Sequence, residues 1–355
     1  MIRVVRKNLL IQYEADGILY GSEDHLVWQS TDQGKTWQEI FRLPSARPGM
    51  LGLMKDRLLR SALVRQWRRN IGIGSVVALP SGTVIALYDK IYRWERGGKG
   101  REGSVVFDLG RERVAGPLRG MCFDVRTNAL YFGEYICARP RAIRIMRGIN
   151  DGRDWQVCYT FPLGRIRHVH SIVADSFRSR LWICTGDADG ESALFYSDDG
   201  CATVHWFAGG DQSWRMIGLL PLENGLLWGS DAGGDAPPNT KNHVYFLDWR
   251  TGKRDRILEV DNPFYYSMQT PSGYYMATTY EPHKQGCSSS FAELWFSSDG
   301  MSWQVLTKFP YRLNKSHGTS YATIFFPQGQ TSHCLFTPVN TERFHFTTIT
   351  LSERL

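Results

Sequence analysis

Arg167-His168-Val169-His170 sets two imidazoles two residues apart. In an extended strand successive side chains alternate, so His168 and His170 share one side. Paired imidazoles can take up a proton near neutral pH, and the H-x-H spacing also suits two ligands of one metal ion. Acids recur around them. Leu19-Tyr20-Gly21-Ser22 runs into Glu23-Asp24, and Val84-Ile85-Ala86-Leu87-Tyr88 into Asp89. Leu130-Tyr131-Phe132-Gly133 runs into Glu134, and Trp182-Ile183-Cys184-Thr185-Gly186 into Asp187. Leu227-Trp228-Gly229-Ser230 meets Asp231, and Met276-Ala277-Thr278-Thr279-Tyr280 meets Glu281. Loops that enter the neighbouring apolar runs carry Arg119, Arg167 and Arg215, then Arg312 with Lys315 and His317, beside the aromatics Trp214, Tyr265 and Tyr266.

Gathered on one concave mouth, these groups form a binding or catalytic site. The catalytic candidates are His168, His170, Tyr280, Glu134, Asp187 and Glu281. The substrate-binding candidates are Arg119, Arg167, Trp214, Arg215, Asp231, Tyr265, Tyr266 and His317. Two reactions fit. Elimination at a uronate sugar needs a cation to neutralise the carboxylate (Arg119, Arg167 or Arg215), a base (His168 or His170) and an acid (Tyr280 or Tyr266). Hydrolysis needs two carboxylates across the scissile bond, from Glu134, Asp187, Asp231 and Glu281. The wealth of His and Arg favours the lyase. An alternative is a non-catalytic surface that binds an anionic glycan or a protein partner, the acids then being copies of one structural device. A divalent cation in the central channel fits either, as Ca²⁺ on the acids or a transition metal on the histidines.

Positioning so many loops on one mouth needs a repeated scaffold. Seven segments read as apolar run, tight turn, apolar run: Leu9–Gly21, Ser75–Tyr88, Met121–Gly133, Ile172–Gly186, Met216–Gly229, Tyr266–Thr279 and Tyr321–Thr337. Turn residues between β-rich runs signal hairpins, and regular recurrence signals a repeat architecture. The predicted fold is all-β: a seven-bladed β-propeller of four-stranded antiparallel blades in one domain, residues 1–355. Ile2–Arg6, a short β-rich run, is predicted to complete the last blade and close the ring, which removes exposed edges. An insertion at about 45–70 lies between the first two blades. There Leu51, Met54, Leu58 and Ala62 fall at helical spacing among many basic residues.

A second repeat overlies the first. Ser30-Thr31-Asp32-Gln33-Gly34-Lys35-Thr36-Trp37, Asn150-Asp151-Gly152-Arg153-Asp154-Trp155 and Ser297-Ser298-Asp299-Gly300-Met301-Ser302-Trp303 each pair an Asp-Gly turn with a following Trp-Gln. Ser197-Asp198-Asp199-Gly200 keeps the turn but has Thr203 in place of the Trp. The first copy resembles the Asp-box of sialidase-like β-propellers. That resemblance implies that the boxes are structural and lie on the face opposite the active site. Phe41-Arg42-Leu43-Pro44 is similar to a substrate-binding motif of sialidases, but it follows the first box and fills the slot of Tyr159-Thr160-Phe161-Pro162, so Arg42 reads as a blade position.

Composition sets outer bounds. The chain has 355 residues, 13% aromatics and 35 glycines, which suits stacked sheets with many tight turns. A net charge of +7 favours anionic partners, an acidic oligo- or polysaccharide first among them. No basic-aromatic motif points to nucleic acid. No run reaches the ~20 apolar residues of a membrane helix. The seven cysteines are scattered without a C-x-x-C pair, and the apolar segment at the start is too short for a signal sequence. Both suggest a reducing, cytoplasmic setting.

Overall fold

Seven antiparallel sheets make up the structure, a computed structural model that describes residues 2–44, 50, 54, 58, 72–97, 101–110, 120–136, 140–287, 289–314 and 320–351. Each sheet holds a blade of four antiparallel strands, to which that of blade 1 adds a short fifth, parallel strand, and the innermost strands open in order at Leu10, Ser75, Cys122, His168, Leu219, Phe264 and Thr323. All seven expected hairpins contribute the two inner strands of a blade. The ring closes as expected: Ile2–Lys7 pairs antiparallel with Thr347–Leu351 as the outer strand of blade 7.

Burial follows position within the blade. The second strand of blade 2, Val84–Leu87, is buried at every residue. The outer strand of blade 6, Gln304–Pro310, largely alternates between exposed and covered. Inner strands are covered on both faces by neighbouring sheets, so they read as continuous apolar runs, whereas outer strands keep one wet face. The apolar core therefore lies between successive sheets. Trp182 and Trp228 are fully buried there, and Trp228 sits in a stack with Trp214 and Tyr245 at ring-centre separations of 5.2 and 5.4 Å.

Strand direction sorts the loops into two faces. In blade 4, His168–Asp175 pairs with Arg180–Gly186, with His168 opposite Gly186 at one end and Asp175 opposite Arg180 at the other. The turn joining strands one and two, and the Asp-Gly-Trp turn joining strands three and four, share the second end. His168 and the loop after Gly186 occupy the first, called here the mouth. The Asp-Gly turns are built locally. The Asp299 carboxylate accepts from the amides of Met301 and Ser302, both at 2.8 Å, and the Trp303 indole N–H donates to the Gly300 carbonyl at 3.0 Å. Asp151 departs from this pattern. It leaves its own turn and reaches Arg93 at 2.6 Å and Thr83 Oγ1 at 2.5 Å, tying blade 3 to blade 2.

One sequence expectation changes. Gln328–Gly329, read as the turn of the seventh hairpin, crosses to blade 1 and pairs parallel with Tyr13–Glu14. The second strand of blade 7 is Leu335–Val339, so the excursion between the strands is longer than a tight turn. Of the insertion after blade 1, only Met50, Met54 and Leu58 are described; each is helical and mostly exposed. The remaining residues of that stretch lie outside the described residues, and so do Arg119, Lys315 and His317. Among the described residues no helix is long and apolar enough to cross a membrane, and six cysteines are free thiols.

Candidate functional site

The ring of acids foreseen at the strand ends exists, but its members have different occupations. In blades 1 to 3 they are tied into the scaffold. Asp24 lies 2.9 Å from His25 Nδ1. Asp89 accepts from the Tyr92 hydroxyl at 2.6 Å. Glu134, almost fully buried, accepts from the Arg144 amide at 2.9 Å and from Arg144 Nε at 2.8 Å. Blade 7 has Asn340 at this place, and its side chain bridges the Asn314 amide and the Tyr321 carbonyl. The interacting groups gather instead around blades 4 to 6.

Asp187 is the hub of that group. Its Oδ1 lies 3.2 Å from His168 Nε2 and 3.2 Å from His170 Nε2, and the two Nε2 atoms are 3.1 Å apart. Arg167 Nη1 donates to Oδ2 at 2.9 Å, and Arg215 Nη2 approaches Oδ1 at 3.2 Å. Both imidazoles are buried, whereas the Arg167 side chain is 44% exposed. His168 and His170 do lie on one side as expected, although the alternation is not regular: the register shifts between Val169 and Ser171 and leaves His170 without a cross-strand partner. Gly186 permits the closeness: a Cβ there would stand 2.5 Å from His170 Cε1.

Backbone contacts fix the orientation of His170. Its Nδ1 faces the Met216 carbonyl at 3.0 Å. A carbonyl only accepts, so Nδ1 carries the proton and a neutral ring keeps a bare Nε2 toward Asp187 and His168. Burial lowers the His170 pKa below its ordinary value, which favours the neutral ring. Burial would by itself raise the Asp187 carboxyl, but a proton donated by His168, and one from His170 whenever that ring is doubly protonated, pull the group far below the usual carboxylate range.

Blade 5 supplies the other wall. Arg215 Nη1 donates to Asp235 at 2.8 Å and to the Asp187 carbonyl at 3.2 Å, and Nε reaches Asp231 at 3.4 Å. Burial works against the Arg215 charge, but Asp231, Asp187 and Asp235 overcome it and raise its pKa. Asp231 is buried, and its Oδ1 has no hydrogen-bond partner. Burial dominates there and pushes its carboxyl well above the usual range, against the pull of Arg215. Glu281, from blade 6, accepts from the Tyr265 hydroxyl and the Gly234 amide, each at 2.6 Å.

The structure thus gathers His168, His170, Asp187, Arg167, Arg215 and Asp231, with Glu281 and Tyr265 alongside. It sends other candidates elsewhere. Glu134 is pinned to Arg144 because the pairing neutralises a carboxylate otherwise buried alone. Trp214 packs on Trp228, beneath the Arg254 guanidinium at 4.6 Å. Tyr266 is buried against Phe325, because it falls on the core-facing register of its strand. Tyr280 packs its ring on Tyr311 at 5.2 Å. Arg42 sits on the outer strand of blade 1 and pairs with Glu39.

Several neighbours escaped the sequence reading. Tyr135 stacks on His168 with ring centres 3.9 Å apart. Gln212 Nε2 donates to the Asp187 carbonyl and to Asp189 Oδ1, both at 2.8 Å. Lys284, buried and with its pKa lowered by burial, donates to the carbonyls of Ala232 and Thr240. The Glu134-Tyr135 adjacency was a usable signal for Tyr135; nothing local marked Gln212 or Lys284.

Two cavities lie outside this group. One of about 320 Å³ lies beyond Gln212 and is lined by Lys241, His243, Arg254 and Arg256 as well as Asp189 and Asp211. The other, about 630 Å³, opens at the far end of the channel among Ala78, Leu79, Ile172, Leu219 and Phe326. It is larger, but its lining is mainly apolar with Glu14 and Asp16 as its acids, so the chemistry belongs to the mouth.

Among groups of described residues with donor atoms close enough to share a metal ion, His168, His170 and Asp187 stand together, all three buried. No protein-family model matches the chain, and no curated protein matches it. Solved structures do resemble it. An oligogalacturonate lyase in complex with manganese superposes at a TM-score of 0.58 with 9% identity, covering 99% of this chain and 93% of that one. A GH74 xyloglucanase from Xanthomonas campestris superposes at 0.57 with 14% identity, covering 86% of this chain and 47% of that one. A chain of the mitotic checkpoint complex superposes at 0.57 with 10% identity, covering 99% and 91%. At such identities the likeness establishes the fold alone, a seven-bladed propeller that carbohydrate-cleaving enzymes and a protein-assembly component share.

Proposed function

We propose that the mouth around Asp187 belongs to a carbohydrate-active enzyme that cleaves an acidic, uronate-type polysaccharide, by elimination in preference to hydrolysis. One observation carries the reading: two imidazoles and two guanidinium groups converge on a single carboxylate at 2.9 to 3.2 Å. A hydrolase needs a pair of carboxylates facing each other across the sugar. Two of the four candidate acids are otherwise engaged, Glu134 with Arg144 and Glu281 with Tyr265 and Gly234, and Asp187 and Asp231 share the Arg215 guanidinium instead of facing each other across an open gap. Elimination instead asks for positive charge at the uronate carboxylate. Arg167, half exposed, is placed to supply it from the rim. The cavity beyond Gln212 presents Lys241, Arg254 and Arg256, with Asp189 and Asp211 also in its lining, and these cations suit further anionic units of a chain.

A divalent cation held by His168, His170 and Asp187 would act as a Lewis acid on that carboxylate. The buried imidazoles then serve as ligands, and the base assigned to them from sequence moves to the neighbouring phenol of Tyr135, stacked on His168. The Asp-Gly-Trp turns, on the opposite face, fit kinship with the Asp-box propellers. Neighbours among both lyases and hydrolases agree with carbohydrate chemistry.

The test is direct. Purified protein is incubated with a panel of uronate-containing polysaccharides, with and without added Mn²⁺, while unsaturated product is followed by ultraviolet absorbance and reducing ends are counted. Unsaturated product supports elimination. Reducing ends without unsaturation replace it with hydrolysis. Saturable binding with neither product replaces it with a non-catalytic glycan-binding propeller.

A further inference from the structure

We infer that His168, His170 and Asp187 form a site for one divalent first-row transition-metal ion, preset by the fold and selective against Ca²⁺. This rests on the cation reading of the mouth and not on any polysaccharide.

The argument begins with protons. The three ligand atoms form a nearly equilateral triangle with sides of 3.1, 3.2 and 3.2 Å. His170 spends its N–H on the Met216 carbonyl, so its Nε2 is a lone pair. Asp187 Oδ1 is an acceptor too. Only His168 Nε2 can bring a proton into the triangle, and one proton cannot serve all three edges. The edge from His170 Nε2 to Asp187 Oδ1 sets two acceptors against each other at 3.2 Å. A cation capping the triangle satisfies all three at once.

Size agrees. The centre of such a triangle lies about 1.8 Å from each corner, so an ion slightly off the plane reaches all three at about 2.0–2.2 Å, the usual length of Zn–N and Zn–O bonds. Two histidines and one carboxylate on one face leave the opposite positions open, a set typical of first-row metals. Ca²⁺ prefers six to eight oxygens and would find one here, because Oδ2 of Asp187 is held by Arg167.

The surroundings have the form of an outer shell. Metal-bound histidines commonly donate their second N–H to a carbonyl or carboxylate, which fixes tautomer and ring plane. Met216 O does this for His170. Arg167 and Arg215 do the equivalent for Asp187, holding the carboxylate by its remaining lone pairs. Their charge is answered nearby, since Asp235 draws Arg215 at 2.8 Å and Asp231 lies 3.4 Å from its Nε.

The full chain is stripped with a chelator and then equilibrated separately with Zn²⁺, Mn²⁺ and Ca²⁺ at equal free concentration. Bound metal is counted by mass spectrometry, and Co²⁺ is added to follow ligand-field bands in the visible. One Zn²⁺ or Mn²⁺ per chain is expected, with Ca²⁺ not retained. The Co²⁺ bands should indicate nitrogen and oxygen ligation and disappear on titration with Zn²⁺. His170→Gln and Asp187→Asn should weaken binding by about 100-fold, with folding checked by circular dichroism. If a variant does not fold, the wild-type stoichiometry and Co²⁺ spectrum decide. A folded wild type that holds no stoichiometric metal, equal retention of Ca²⁺, or folded variants that bind as tightly as the wild type would overturn the inference. No substrate enters the experiment, so a negative polysaccharide assay leaves its result unaffected.

Discussion

Arg215, at the entrance to blade 5, and Asp187, at the end of a blade 4 strand, meet across the blade boundary with Nη2 3.2 Å from Oδ1. The same guanidinium serves Asp231 and Asp235. It is therefore the cation that lets three carboxylates coexist at the mouth. Arg215→Ala should cost about 3–5 kcal/mol, as expected when one partner of a buried ionic network is removed. Urea unfolding measures this. A loss below about 1 kcal/mol would mean that the carboxylates do not depend on Arg215.

Arg167 makes the opposite case. Its side chain is 44% exposed and pairs with Asp187 from the rim. Exposed pairs contribute about 0–1 kcal/mol, so Arg167→Ala should barely move the unfolding midpoint. If Arg167 neutralises a uronate, the same change should weaken binding of an acidic oligosaccharide by about tenfold or more, a loss of roughly 1.5–3 kcal/mol for a charged hydrogen bond. Calorimetric titration with the wild type and the variant separates the two effects. Unchanged affinity would remove Arg167 from the binding surface.

Gly186 tests the packing behind His170. A methyl group at this position would lie 2.5 Å from the imidazole, and overpacking of this kind typically costs about 1–3 kcal/mol. Gly186→Ala should also push His170 out of line with His168 and Asp187. Metal retention should fall further than the modest change in unfolding midpoint would suggest. A variant with unaltered metal affinity would show that the ring has room to shift.

Glu134 was a catalytic candidate and is expected to behave as a structural one. Its carboxylate holds both the amide and the guanidinium of Arg144. Glu134→Gln should lower stability by about 1.5–3 kcal/mol, the usual worth of hydrogen bonds to a charge, and leave turnover per folded molecule intact. Parallel activity and denaturation curves check it. A variant of normal stability with lost turnover would return Glu134 to the catalytic set.

The Asp-Gly turns predict an acid limit. Hydrogen bonds hold the carboxyls of Asp32 and Asp299 at about 2, and at Asp199, where burial is the largest single effect and acts upward, the bonds from Thr203 and Ser197 together overcome it to the same end. A group whose pKa is lower folded than unfolded stabilises the fold above its unfolded value and loses that contribution as pH falls toward its folded value. Stability should therefore decline between about pH 4 and pH 2. Asp299→Ala should show a shallower decline over that window in thermal melts. An identical acid profile would mean that the turn does not depend on its carboxylate.

Sequence alone indicated the blade count, closure by the run Ile2–Arg6, the inner-hairpin turns of the first six blades and the shared side of His168 and His170. The turns and strands are short-range matters: Asp-Gly turn chemistry, the two-residue period of a strand and apolar runs bounded by polar turns act within a few residues, whereas closure joins the chain ends and was legible only because the repeat left the last blade short of a strand. What became of each acid was decided only in three dimensions. Glu134 and Asp187 occupy equivalent places in adjacent blades, yet one meets Arg144 from its own sheet and the other meets His168, His170 and Arg215. The tautomer of His170 likewise depends on a carbonyl 46 residues away. Gln328–Gly329 left its hairpin for the edge of blade 1 because the ring, once closed, offered unpaired backbone there. Such choices depend on which groups the closed ring brings within about 3 Å, the reach of a hydrogen bond, and chain spacing does not encode that distance.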